Sequence, residues 1–295
     1  MKLSTTTLGC PGWDLATVLT RLQEYGFGGV DFRGLKGEFK LWRLPEFAAG
    51  LKDTAARIRD HGLAVTCVSS GIHLGDTRPE SIAAYDEELL RSAEICGALD
   101  CPHIRVFGGS LGLAGGRTEA QRAEVIELVA DRARAMAQRA GAIAPVDLLI
   151  ETHDAWTSSA HVRALLERIG RQDVACCWDV KHTYWASRET PETTWAALGP
   201  WVRNTHWKDV RRFRGSAKEF GRDLSRDGLL CLVGTGILPL ADCHDLLQAS
   251  DYKGWFTLEW EKHWHPHIEE PEIAFPRFVQ SMRELAGAAS GAKTR

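Results

Sequence analysis

Short apolar or β-branched runs recur along the chain, with longer amphipathic segments between them. Eight runs stand out: residues 2–8 (KLSTTTL), 28–32 (GGVDF), 63–69 (LAVTCVS), 103–107 (HIRVF), 146–151 (VDLLIE), 174–179 (VACCWD), 202–208 (VRNTHWK) and 255–260 (WFTLEW). Runs of this length fit strands better than helices. The segments between them, such as residues 79–99 and 119–140, carry apolar residues at helical i, i+3, i+4 spacing. Thr118 followed by Gln121 forms a capping-box start for the second. Eight strands alternating with helices, with no linker, predict an α/β chain folded as one (β/α)8 barrel over residues 1–288, followed by a flexible tail at 289–295. A doubly wound open sheet shares this alternation, so what the strand ends carry becomes the next observation.

In a parallel barrel the C-terminal strand ends converge on one mouth. The fifth run ends at Glu151, the sixth at Asp179, the seventh carries His206 and the eighth Glu259. A lone acid at a strand end is most often a cap or turn residue. Carboxylates inside a barrel are costly unless something pairs with them, and oxygen and nitrogen donors at four consecutive strand ends make up a set suited to a divalent cation.

Composition removes several other classes. A formal charge of −3 argues against a nucleic-acid footprint. Arg211, Arg212 and Arg214 form one local basic cluster in a loop. The eight cysteines are scattered without C-x-x-C pairs and read as reduced, buried small residues. No apolar run approaches the roughly 18 residues of a membrane span, and Leu8-Gly9-Cys10 lacks the apolar segment that a lipoprotein signal needs, so the expected compartment is the cytoplasm. The glycines of FGGSLGLAGG (107–116) lack the spacing of either nucleotide-binding motif and read as a mobile loop.

Glu151 within LLIETH, Asp179 and His182 as D-x-x-H, His206 in HWKD, Gly234 and Gly236 ahead of LPL, and Glu259 in TLEW together resemble the sugar-phosphate isomerase/epimerase superfamily with its xylose isomerase-like barrel. The resemblance implies that Glu151, Asp179, His206 and Glu259 bind one divalent ion (manganese, magnesium, cobalt or zinc). It also implies that the two glutamates act as an acid/base pair on a carbohydrate, through an enediolate, and that His182 contacts the substrate. Isomerisation or epimerisation ranks first. Elimination by a lyase or dehydratase shares the same first step. Dimers or tetramers are expected from the same resemblance.

Related metal-dependent nucleases of abasic DNA need further histidines. Residues 209–230, which include Asp223 and Asp227, contain none, and position 105 is arginine. A non-catalytic sugar-binding barrel is disfavoured by the intact ligand set. Arg105, within the fourth run, is expected either to face the substrate or to form an ion pair inside the barrel. His73 is read as a substrate contact, and so is Arg212, six residues beyond His206. Lys208, Asp209 and His153 are read as groups supporting the ligands. In EWEKHWHPH, Trp260 and Trp264 are read as an aromatic wall, and His263, His265 and His267 as ordinary loop packing because Pro266 interrupts any regular element.

Overall fold

A computed structural model describes residues 1–113, 115–213 and 228–292. Eight parallel strands close into a barrel: β1 (Lys2–Thr6), β2 (Gly29–Phe32), β3 (Ala64–His73), β4 (His103–Phe107), β5 (Asp147–Glu151), β6 (Val174–Asp179), β7 (Val202–Trp207) and, last in the chain, β10 (Trp255–Leu258). Going round the barrel the order is β1, β10, β7, β6, β5, β4, β3, β2. The open sheet is therefore excluded. Both faces of each strand are covered, which is why β2 and β6 read as nearly continuous apolar runs and are buried throughout.

The surrounding helices are α1 (Leu15–Tyr25), α2 (Leu51–Asp60), α3 (Pro79–Ala98), α4 (Glu119–Gly141), α5 (Ser159–Ile169), α6 (Val180–Trp185), α7 (Pro191–Leu198), α8 (Leu240–Ala249) and α9 (Pro271–Ala292). The expected capping box at Thr118 and Gln121 opens α4, each side chain bonded to the other's backbone N–H. Helix α9 runs to Ala292, into the segment expected to be a flexible tail, and residues 293–295 lie outside those described. The eight cysteines are free and buried. No helix among the described residues is long and apolar enough to cross a membrane.

Two further features position the mouth. A small antiparallel pair, β8 (Asp209–Arg211) with β9 (Leu229–Cys231), stands on the loop after β7. Asp209 fastens it. Its carboxylate accepts backbone N–H groups from Val210 (2.9 Å), Gly234 (3.0 Å), Gly236 (2.8 Å) and Leu238 (3.2 Å). The G-x-G spacing follows from this, because a Cβ on Gly236 would lie 2.1 Å from Asp209 Oδ1. The second feature is the glycine-rich loop after β4, which is pinned where a mobile loop was expected. Gly108 sits against the Trp156 ring, where a Cβ would clash at 2.2 Å, and Trp156 Nε1 donates to Leu111 O at 3.0 Å.

Candidate metal centre and its surroundings

Four neighbouring staves deliver the ligand set. β5 and β6 end in Glu151 and Asp179, His206 is the last but one residue of β7 and Glu259 follows β10 directly, and one donor atom from each lies within 4.8 Å of all the others. Glu151, Asp179 and His206 are fully buried and Glu259 nearly so. His206 stands in the middle: Nδ1 is 3.3 Å from Glu151 Oε1 and 3.4 Å from Glu259 Oε1, while Nε2 faces Asp31 Oδ2 at 3.4 Å.

Asp179 reconciles the two readings of its D-x-x-H motif. Oδ1 caps the short helix α6, accepting N–H groups from Lys181 (2.8 Å) and His182 (2.9 Å). Oδ2 turns to the barrel interior, 2.9 Å from Lys208 Nζ. One carboxylate is thus both helix cap and interior charge. His182 places Nδ1 3.0 Å from Thr152 O. A carbonyl only accepts, so Nδ1 carries the proton and Nε2 is left as an acceptor. Burial and the nearby Lys208 hold this imidazole well below its usual pKa, hence neutral.

Charge accounts for the rest. Lys208 Nζ bonds Glu259 Oε2, and reaches Glu261 Oε1 at 2.7 Å besides Asp179. It therefore bridges three acids and does not pair with Asp209, whose carboxylate is taken up by backbone. Arg105 Nε approaches Glu151 Oε2 at 3.1 Å, and Nη1 donates to Ser70 O at 2.9 Å. Of its two expected roles, Arg105 takes the ion pair inside the barrel, buried beneath the mouth. Burial and Glu259 push the Glu151 carboxyl up, but Arg105 and His206 outweigh them and hold it below the usual range. Glu259 is held further down by Lys208 and His206 against the cost of burial. Burial opposes a charge on His206, yet Cys177, Glu259 and Glu151 raise its pKa well above the usual value.

The residues fit a divalent cation. Asp31, Glu151, Asp179, Glu259 and Glu261 outnumber the cations Arg105, Lys208 and an imidazolium at His206 that are paired among them. Oδ1 of Asp31, Oε2 of Glu151 and Oδ2 of Asp179 are buried without an aligned hydrogen bond. An uncompensated buried carboxylate costs several kcal/mol, about what a bound cation would remove. Binding would replace the proton on His206 Nδ1, with Asp31 still orienting the ring through Nε2.

Asp31 and Glu261 were not singled out from the sequence. Asp31 had a signal in it, a charged residue within the apolar run GGVDF. Glu261 had only its place in EWEKHWHPH.

Above the ligands opens a cavity of about 780 Å³, lined by His153, Asp154, Lys181, His182, Glu261 and His265 among others. A second lobe of about 570 Å³, with His73, Asp76, Arg78 and Tyr85, shares Ser110 and Asp154 with it. His153 and His73 meet at that border, both bonding Asp154, at 2.8 and 3.3 Å. Arg212 is exposed and stands over Trp185, another lining residue, with its guanidinium carbon 6.0 Å from the ring centre.

Trp260 is not part of a wall. It is fully buried beside Gly9, and its Nε1 donates to Glu269 O at 2.9 Å. Trp264 is exposed and stacks on Phe39 at 5.2 Å. His263 packs edge-on to both rings, and His265 holds Glu261 at 3.2 Å, as loop residues rather than a second metal cluster. Arg211 bonds Thr235, while Arg214, Asp223 and Asp227 lie outside the described residues.

Comparison with curated proteins by sequence gives no match. Among solved structures, 3-keto-D-glucoside 4-epimerase YcjR from E. coli superposes with a TM-score of 0.72 at 18% identity, covering 96% of this chain and 99% of that one. The probable 3-DHS dehydratase AsbF from Bacillus anthracis has the same score and identity, covering 97% and 99%. The IOLI protein with a bound zinc atom also scores 0.72, at 13% identity and 98% coverage of both chains. Identities this low carry the fold alone. A family model described as xylose isomerase-like TIM barrel matches residues 19–285, nearly the whole barrel and all four ligand positions, so the chain belongs to the xylose isomerase-like TIM-barrel family.

Proposed function

We propose that this protein is a divalent-metal-dependent isomerase or epimerase of a sugar or keto-sugar, with Glu151 and Glu259 as its acid/base pair. The observation that carries the reading is the buried group of Glu151, Asp179, His206 and Glu259 beneath a polar cavity. When bound there, a cation supplies Lewis-acid polarisation of a carbonyl and its adjacent hydroxyl. Asp179 and His206 hold their places through the α6 cap and through Asp31.

Glu151 and Glu259 reach the centre from staves separated by β6 and β7, so they meet the substrate from different sides. Arg105 and His206 hold Glu151, and Lys208 and His206 hold Glu259, as carboxylates able to accept a proton. Reprotonation from the side of Glu259 needs a proton brought to that carboxyl from solvent, with the proton taken by Glu151 released in turn; Lys208, held as an ammonium by three acids, keeps Glu259 in place. His182 Nε2 offers an acceptor to a substrate hydroxyl at the wall of the cavity. The zinc-bound neighbour and the epimerase neighbour agree with this reading. Elimination from the same carbanion is the alternative, in keeping with the dehydratase neighbour.

Incubating metal-loaded protein with a panel of keto-sugars in deuterium oxide separates these outcomes. Epimerisation predicts deuterium at the carbon next to the carbonyl in otherwise intact sugar, read by mass spectrometry and proton NMR. Loss of water or an aglycone from the sugar establishes the elimination route. No exchange with any keto-sugar contradicts both.

A further inference from the structure

The cations at the mouth differ in what they pair with. Arg105 and Lys208 are taken up by acids of the cluster. Arg33 is not. It follows β2 directly, two residues beyond the inward-facing Asp31, and so continues the row of side chains that points into the mouth. Its backbone N–H donates to Thr7 Oγ1 at 2.9 Å. Its side chain is half-buried, and among the described residues no ion pair or hydrogen bond holds the guanidinium. One face lies 4.6 Å from the centre of the Phe39 ring, itself stacked under the exposed Trp264. It lines a narrow cleft with Thr7, Phe39 and His263 at the β1 and β2 ends.

Burial and the like charge of Arg105 push the Arg33 pKa down to about 10, with Glu88, Glu259 and Asp31 acting only through space. An unpaired guanidinium that reaches the surface is free to take an anion, and its planar fork matches the two oxygens of a carboxylate or phosphate. Phe39 fixes the plane of that fork, which lowers the entropy lost when an anion docks.

We infer that Arg33 is a specificity residue that recognises an anionic substituent, carboxylate or phosphate, on the carbohydrate substrate. The inference rests on the reading of the site as a carbohydrate isomerase or lyase. It adds that the physiological substrate is an acid or a phosphate ester and not a neutral sugar.

Binding to the manganese-loaded protein tests this without turnover. The probes are D-glucitol, D-gluconate and D-glucitol 6-phosphate, measured by calorimetry on wild type, Arg33→Met and Arg33→Lys. At least one anion is expected to bind the wild type about tenfold or more tighter than D-glucitol, the worth of a charge-assisted hydrogen bond. Arg33→Met should abolish that preference and leave D-glucitol affinity and bound manganese unchanged, while Arg33→Lys keeps part of it. The anion that shows the preference identifies carboxylate or phosphate. Because no protein acceptor is lost, Arg33→Met should unfold at the same temperature as wild type or higher, whereas a purely structural role through Phe39 would lower it. A wild type with no anion preference, or a preference that survives Arg33→Met, overturns the inference. An Arg33-dependent preference in a protein that exchanges no keto-sugar proton would instead overturn the functional reading and leave the anion site standing.

Discussion

Replacing Glu151 or Glu259 by glutamine is expected to lower turnover by about 10³-fold or more, the upper part of the range for removing a positioned acid or base. Under the proposed function each glutamate does two things: it contributes a donor to the cluster, and it takes or returns a proton. Metal content must therefore be measured beside the rate. A variant that retains its ion and loses the rate isolates the proton-transfer role. Glu151→Gln should also free Arg105 from its buried ion partner, so its rate loss should come with some loss of stability. A variant of either glutamate that turns over within tenfold of wild type would remove it from the acid/base pair.

Lys208→Met has the second large expected effect, on stability. Lys208, itself buried, holds Asp179, Glu259 and Glu261 together, and deleting one partner of a buried ion pair typically costs about 3–5 kcal/mol. Metal-free protein should show this loss in a denaturant titration. Glu259 and Glu261 are held well below their usual value of 4.5, burial opposing and Lys208 prevailing. Their contribution to stability is therefore complete above that pH and is lost as pH falls toward the folded values. Without Lys208 this acid-side loss should shrink, because less depression of the carboxyls remains to be lost. Saturating manganese should raise the melting temperature of the variant more than that of wild type, since a cation offsets the charge that Lys208 no longer balances. A loss under about 1 kcal/mol, or equal responses to metal, would contradict the charge balance described above.

The barrel was legible because its strands are buried on both faces and read as apolar runs. β4 and β6 fall on the predicted limits; β1, β7 and β10 stop short at the mouth, β2, β3 and β5 start one residue later, and β3 runs on to His73. The four candidate ligands were legible as a group because each lies at or near the end of such a run. What was not legible depends on partners distant in the chain. Lys208 sits beside Asp209 in sequence but meets Asp179, Glu259 and Glu261, and nothing in HWKD reveals that. Asp209 looked like a chemical group and is a clamp for backbone N–H groups of a turn some 25 residues on. Trp260 is a misreading that the sequence itself corrects: strand side chains alternate, so an inward Glu259 sends its neighbour outward to the helices. Asp31 needed the same alternation in GGVDF, together with the rule that a buried acid has a partner, here His206.

Bound metal per chain tests the central claim most directly. Protein purified without chelator, beside an Asp179→Asn, Glu259→Gln double variant, would be assayed by elemental mass spectrometry. The account predicts about one divalent ion per wild-type chain, the single ion that one His and three carboxylates can hold, and close to none in the double variant. Wild-type protein that binds no ion even after soaking with manganese, or a double variant that binds as much as wild type, would contradict it.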